Sequence, residues 1–200
     1  VDLKIAKTGF FKIEGSNGSG KSTLFKALNG ELDWINSNNI QISIDNKTID
    51  VYKNRQILFL SDTFEGYLYL KPSEYIYFIS ELYKKKINKE YMLFLFKTLD
   101  FSQYSHYLIK DLSQGNKQKL VFITSALISC PIILFDEAYE HIDKKTIAHI
   151  KTFIKDRFKD NFVFLTSHTT IIDDIIADSI YLKEKQLIYN STCAEKNAMI

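Results

Sequence analysis

Gly15-Ser16-Asn17-Gly18-Ser19-Gly20-Lys21-Ser22-Thr23 fits the pattern G-x-x-x-x-G-K-[ST], the phosphate-binding loop. Before it, Gly9-Phe10-Phe11-Lys12-Ile13-Glu14 reads as a turn feeding a short apolar strand. After it, Thr23-Leu24-Phe25-Lys26-Ala27-Leu28 has helical spacing without Gly or Pro. Strand, glycine-rich turn and helix start are the context that separates this motif from a glycine-rich turn matching by accident. The glycines let the backbone approach an anion closely. Loop N–H groups and the positive end of the helix dipole then surround phosphates. Lys21 adds a point charge towards the β- and γ-phosphates, and the Ser22 hydroxyl can ligate Mg²⁺.

The rest of the composition sets bounds. The chain of 200 residues, 46% hydrophobic, is long enough to bury a core as one domain. Its 26 basic and 24 acidic residues leave a net charge of +2, so no affinity for nucleic acid or lipid follows from charge. Lys84-Lys85-Lys86 is a dense basic run and reads as a solvated helix end. Cys130 and Cys193 are far apart without CxxC spacing, which suits a reducing compartment, with Cys130 a small core residue. No secretory signal is read at the start. The apolar stretch from Leu120 to Phe135 is interrupted by Thr124, Ser125, Ser129 and Pro131, too broken to span a membrane. A membrane role therefore requires a partner to supply the spans.

Taken in order, Leu3 and Ile5 place the beginning in or beside a strand. The helix after the phosphate loop should end near Asn29-Gly30. Ile40, Ile42 and Ile44 alternate as a half-buried strand, Asp45-Asn46-Lys47 reads as a hairpin turn, and Thr48, Ile49 and Val51 return. Ile57-Leu58-Phe59-Leu60 is a buried strand. From Asp62 to Asp111 the pattern is helical. Pro72 suits a first helical position, and Asn88 begins a second helix with Met92, Leu95, Phe96 and Leu99 on one side. Phe64, Tyr67, Tyr69, Tyr75, Tyr77 and Phe78 are either helix packing, the favoured reading, or an exposed groove for a partner's helix. Ser113 caps a helix running to about Ser129. Ile132 to Phe135 is a buried strand ending in Asp136-Glu137, Lys144 to Phe158 an amphipathic helix, and Phe162 to Leu165 another buried strand before Thr166-Ser167-His168. A short helix over 171–176, a hairpin of 179–182 with 187–189 and a loosely ordered tail from Asn190 complete the reading.

Chemistry gathers at the strand ends. Asp136 stands where a carboxylate can hold nucleotide-borne Mg²⁺, and Glu137 where one can orient or deprotonate water. Capping of the next helix is the plainer role for such tandem acids. His168 ends a second buried strand at the carboxyl edge, where ligands of open α/β sheets collect, and can donate to a γ-phosphate. Leu112-Ser113-Gln114-Gly115-Asn116-Lys117-Gln118 is a capped helix start with a Gly beside the cap, a second anion-binding end. Two such ends on one chain invite a head-to-tail dimer.

Leu112 to Gln118 resembles the LSGGQ signature of ATP-binding cassette (ABC) ATPases. The order of phosphate loop, insert, signature, Asp136-Glu137 and His168 extends that resemblance from about Leu3 to Tyr189. It implies an α/β fold of P-loop type. The core, with an antiparallel β subdomain, would take residues 1–61 and 112–190. A helical subdomain would take 62–111, and 191–200 would form a loose tail. It implies that Gly15, Ser16, Asn17, Gly18, Ser19, Gly20, Lys21, Ser22 and Thr23 bind the phosphates of ATP, with Mg²⁺ at Ser22 and Asp136. Glu137 becomes the catalytic carboxylate and His168 the switch histidine. Ser113 and Gly115 become contacts to the partner's phosphates, and Asp143 the aspartate of the D-loop. Asp62 stands where the family has a glutamine, facing Mg²⁺ and water with an added charge. Ala138 replaces a customary proline, and Glu14 holds a position usually small or apolar. With 14 residues ahead of Gly15, the strand whose aromatic residue stacks on adenine is expected to be missing.

The implied activity is ATP hydrolysis in a head-to-tail dimer of two ATPase subunits. It would serve a separate membrane-spanning permease at the cytoplasmic face, docked near residues 64–77, with Leu112 to Leu120 resembling small exporter-type subunits. No nucleic-acid partner and no direct membrane insertion are expected. A DNA-maintenance ABC ATPase would need a long coiled coil between phosphate loop and signature, and no sustained heptads occur there. A regulatory, non-hydrolysing module is the other rival, suggested by Asp62, Ala138 and the short start.

Overall fold

The computed structural model describes residues 5, 7–32, 42–44, 47–49, 55–61, 63–64, 66–137, 141–167, 170, 173–183 and 186–190. Its centre is a six-stranded sheet of order β4-β5-β6-β1-β7-β8. The strands are β1 (Gly9–Glu14), β4 (Ile57–Ser61), β5 (Ile132–Asp136), β6 (Phe162–Thr166), β7 (Asp178–Lys183) and β8 (Gln186–Asn190). All neighbours are parallel except β7 with β8. A parallel sheet is covered on both faces, so its strands are continuous apolar runs rather than alternating ones. Ile132, Ile133, Leu134 and Phe135 are accordingly all buried. A separate two-stranded hairpin joins β2 (Ile42–Ile44) and β3 (Lys47–Ile49), with Ile42 opposite Ile49. Lys47 pairs in this ladder instead of lying in the turn.

One face of the sheet carries α1 (Lys21–Leu28), whose Phe25 is buried with Phe11, Ile13, Leu134 and Ile180 and meets Phe59 edge-on. The other face carries α2 (Pro72–Leu82), α3 (Lys89–Thr98), α4 (Gln114–Ile128) and α5 (Lys144–Arg157). Local chemistry sets their starts. Pro72 opens α2, where a missing N–H costs nothing, and Glu74 accepts from the Lys71 N–H at 2.8 Å. Asn88 caps α3 by accepting from the Tyr91 N–H. From Gln118 to Ala126 every residue of α4 is buried, because the helix is enclosed by sheet and neighbouring helices. Its apolar stretch is thus explained as core.

The aromatic segment divides between the two readings. Phe64 and Tyr75 are buried ring against ring, whereas Tyr69, Tyr77 and Phe78 stay exposed. Buried residues of this helical segment, among them Ile76, Leu95 and Phe101, join the same cluster as Leu58, Ile133 and Phe135 of the sheet. Residues 173–175 form a single 3-10 turn within the short helix expected over 171–176, of which 171 and 172 lie outside the described residues. Asp173 pairs with Lys12 and Asp174 with Lys151. The expected amino-terminal and 40–51 strands, Cys193 and the tail fall wholly or partly outside the described residues. So do Asp62, Ala138 and His168.

Candidate functional site: a phosphate loop facing an acid pair

β1 delivers the chain into residues 15–20 at the carboxyl edge of the sheet. A Cβ on Gly15 would stand 2.7 Å from Ser19 Oγ and 2.8 Å from the Leu182 carbonyl oxygen, so only hydrogen fits there. Gly18 and Gly20 hold φ of +78° and +100°, left-handed backbone that side chains resist. The Lys21 ammonium reaches back along the loop, donating to the carbonyl oxygens of Gly15 at 2.9 Å and Ser16 at 3.2 Å. α1 has no acidic residue in its first turn and no side-chain cap at Gly20. Its amino-terminal N–H groups therefore keep a positive potential that neither the first turn nor the cap residue answers. Ser19 Oγ is buried without a partner among the described residues. A loop so rich in donors fits the phosphates of a nucleotide. Ser22 and Thr23 are exposed on the first turn. Glu14, unusual before such a loop, accepts from Ser179 Oγ at 2.8 Å.

Two strands away, β5 ends in Asp136, in register with Ser61 of β4 and Thr166 of β6. Thr166 is 1% exposed. Its hydroxyl donates to Asp136 Oδ1 at 2.7 Å and accepts from the Glu137 N–H at 3.0 Å. One hydroxyl thus orients both acidic residues. Glu137 has φ of +53°, a left-handed setting that costs on the order of 1 kcal/mol for a residue with a side chain. The strain turns the chain sharply at the strand end, and Glu137 is left exposed.

Ser113 caps α4, accepting from the Asn116 N–H at 3.3 Å. Ser113 and Gln114 are exposed, so this helix start is open to a neighbouring molecule. A Cβ on Gly115 would lie 2.6 Å from the His141 carbonyl oxygen; here glycine is required by close approach. Asp143 caps α5, accepting from Thr146 N–H and Oγ1 at 2.9 and 2.7 Å. These bonds, with Lys119 contributing less from 3.5 Å, lower its pKa to about 2. Gln118, wholly buried, donates through Nε2 to the Glu137 carbonyl at 3.0 Å and accepts from the His141 N–H at 2.7 Å.

The structure therefore brings Asp136 and Glu137 together under Thr166, and Gly115 against the segment leading to Asp143. The phosphate loop opens at the same sheet edge, with β6 between its strand and β5. Sequence reasoning did not single out Thr166, Gln118 or Lys119. The available signals were a threonine ending an apolar strand and a polar pair, Gln118-Lys119, closing the polar opening of α4 just before its apolar run.

Fold and loop together define a P-loop α/β nucleotide-binding domain. The family model described as ABC transporter matches residues 1–140, and the chain belongs to that family. AlbC of Bacillus subtilis is 29% identical over 157 residues, 74% of this chain and 64% of its own length. The ATP-binding protein Uup of Buchnera aphidicola is 30% identical over 92% of this chain, which spans 30% of Uup. The chain thus spans less than two thirds of each. Relatives named for import and for export both occur. Among solved structures, MJ0796, described as a bacterial ABC transporter cassette in a dimeric structure, superposes with a TM-score of 0.75 at 20% identity. That match covers 96% of this chain and 88% of MJ0796, and the fold is that of the ABC cassettes.

Proposed function

We propose that the chain is an ATP-binding and ATP-hydrolysing subunit that drives a separate membrane permease, of exporter type, through head-to-tail dimerisation. The observation that carries this reading is the pair of solvent-facing helix starts, Gly20-Lys21 and Ser113-Gly115, flanking an acid pair ordered by one buried threonine. In this reading Lys21, the N–H groups of residues 16–23 and the hydroxyls of Ser22 and Thr23 hold the phosphates. Ser22 and Asp136, with Asp62, are the residues that would hold Mg²⁺, which when bound neutralises charge on the phosphate oxygens. Glu137 takes a proton from the attacking water, and His168 donates to the γ-phosphate. Ser113 and Gly115 of a second copy close over the phosphates held by Lys21, and Asp143 borders that interface.

Residues 1–61 and 112–190 form the core unit in this scheme, 62–111 the helical unit and 191–200 a tail. Exposed Tyr69, Tyr77 and Phe78 offer the apolar surface a permease would cover. Among the described residues no helix is long and apolar enough to cross a membrane, which is compatible with attachment through that partner at the cytoplasmic face.

The test compares steady-state ATPase of the wild type with Glu137→Gln, alone and with the permease, alongside ATP binding by Lys21→Ala. Turnover in the wild type at least about a hundredfold above Glu137→Gln is expected, the scale of losing a positioned base. Lys21→Ala should lose ATP affinity with an unchanged far-UV circular dichroism spectrum. Equal, negligible turnover of wild type and Glu137→Gln, with tight ATP binding, would favour the regulatory module instead.

A further inference from the structure

Gln118 lies one turn into α4, beyond the capped end that Ser113 and Gly115 form. It has no surface, and both halves of its amide are used on one chain segment. Nε2 donates to the Glu137 carbonyl oxygen, and Oε1 accepts from the His141 N–H. A carbonyl needs a donor and an N–H needs an acceptor, so only one orientation of the amide satisfies both. The peptides on either side of Glu137 Cα are therefore both tied, its N–H to Thr166 Oγ1 and its carbonyl to Gln118. The strained φ of +53° persists only where its surroundings over-determine it, and these two bonds are part of that determination. Gly115, on the same helix start, abuts the His141 carbonyl. α4 thus grips both ends of the stretch from Glu137 to His141.

We infer that Gln118 is a positioning residue for hydrolysis, aiming Glu137 through its carbonyl and tying that aim to the helix start that meets a second copy's triphosphate. This rests on the hydrolytic reading above and assigns Gln118 no contact with nucleotide. A misaimed carboxylate costs turnover without affecting the phosphate loop. Gln118→Met keeps the volume and removes both bonds. Gln118→Glu keeps an acceptor for His141 but sets oxygen against the Glu137 carbonyl.

The experiment measures kcat and KM for ATP, equilibrium ATP binding and melting temperature for wild type, both variants and Glu137→Gln. Expected is a fall in kcat of about tenfold or more in both variants, with KM and ATP affinity within about twofold of wild type, since residues 15–23 are untouched. Variants that turn over within about twofold of wild type overturn the inference. So do variants that lose ATP affinity in proportion to kcat or melt below the assay temperature, because Gln118 is then a structural tie. A wild type no faster than Glu137→Gln overturns the hydrolytic reading itself, and that result is visible without any Gln118 variant.

Discussion

Asp143 shows how much a single side chain can be asked to do. Both carboxylate oxygens accept from Thr146, and Lys119 stands 3.5 Å away, which lowers its pKa from 3.8 to about 2. A carboxylate with a depressed folded-state pKa stabilises the fold at pH above its unfolded value, and that contribution is lost as pH falls through the folded one. Its side chain is 55% exposed, so solvent screening holds the cap to no more than about 1 kcal/mol. Asp143→Ala should therefore melt a few degrees below wild type at pH 7, the gap narrowing between pH 4 and pH 2. Asp143→Asn, which can still cap, should show a smaller gap with little pH dependence. Melting curves from pH 2 to 7 check this, and a gap constant across that range would refute the assignment of the low pKa to the cap.

Among elements, the helix starts were legible because capping is local. Pro72, Asn88 and Ser113 announce α2, α3 and α4 within a few residues of sequence. Glycine 15 and the Asp136-Glu137 pair were legible for the same reason, since loop and strand end are contiguous. What could not be read was what the folded chain folds across itself. Thr166 meets Glu137 over 29 residues of separation and Gln118 meets Glu137 over 19, and no periodicity encodes which polar side chain will fill such a gap. The helical turn at 173–175 was expected, but not its anchors, Lys12 and Lys151, one on β1 and one on α5. For α4 the prediction is specific. Ser113→Ala should cost about 1 kcal/mol of stability, roughly 2–4 °C in melting temperature. ATP-driven dimerisation should be lost while the monomer still binds ATP. Melting curves read the first, size-exclusion chromatography with ATP in the Glu137→Gln background the dimerisation, and equilibrium nucleotide binding the last; an undiminished dimer would remove Ser113 from the interface.

At the scale of the whole molecule, one sheet separates two apolar clusters, and the larger is shared by sheet, α4, α5 and the helical segment. Opening one part of that cluster exposes the rest, which favours cooperative unfolding. Cys130 sits at its rim, 1% exposed. Its sulfur approaches the Arg55 carbonyl at 3.7 Å, and its own carbonyl accepts from Asn161 Nδ2 at 2.6 Å. The residue therefore joins the approaches to β4, β5 and β6, and burial pushes its thiol pKa up to about 12. Such a thiol is doubly protected, by access and by the scarcity of thiolate. In a Cys193→Ser background, an aromatic disulfide reagent at pH 8 should label Cys130 only slowly in the native protein and at once in denaturant. Native labelling within seconds would mean the three approaches are not closed together. The chain thereby carries its own clock: the slow yellowing of a labelling reaction would count, opening by opening, how often the interior is breached.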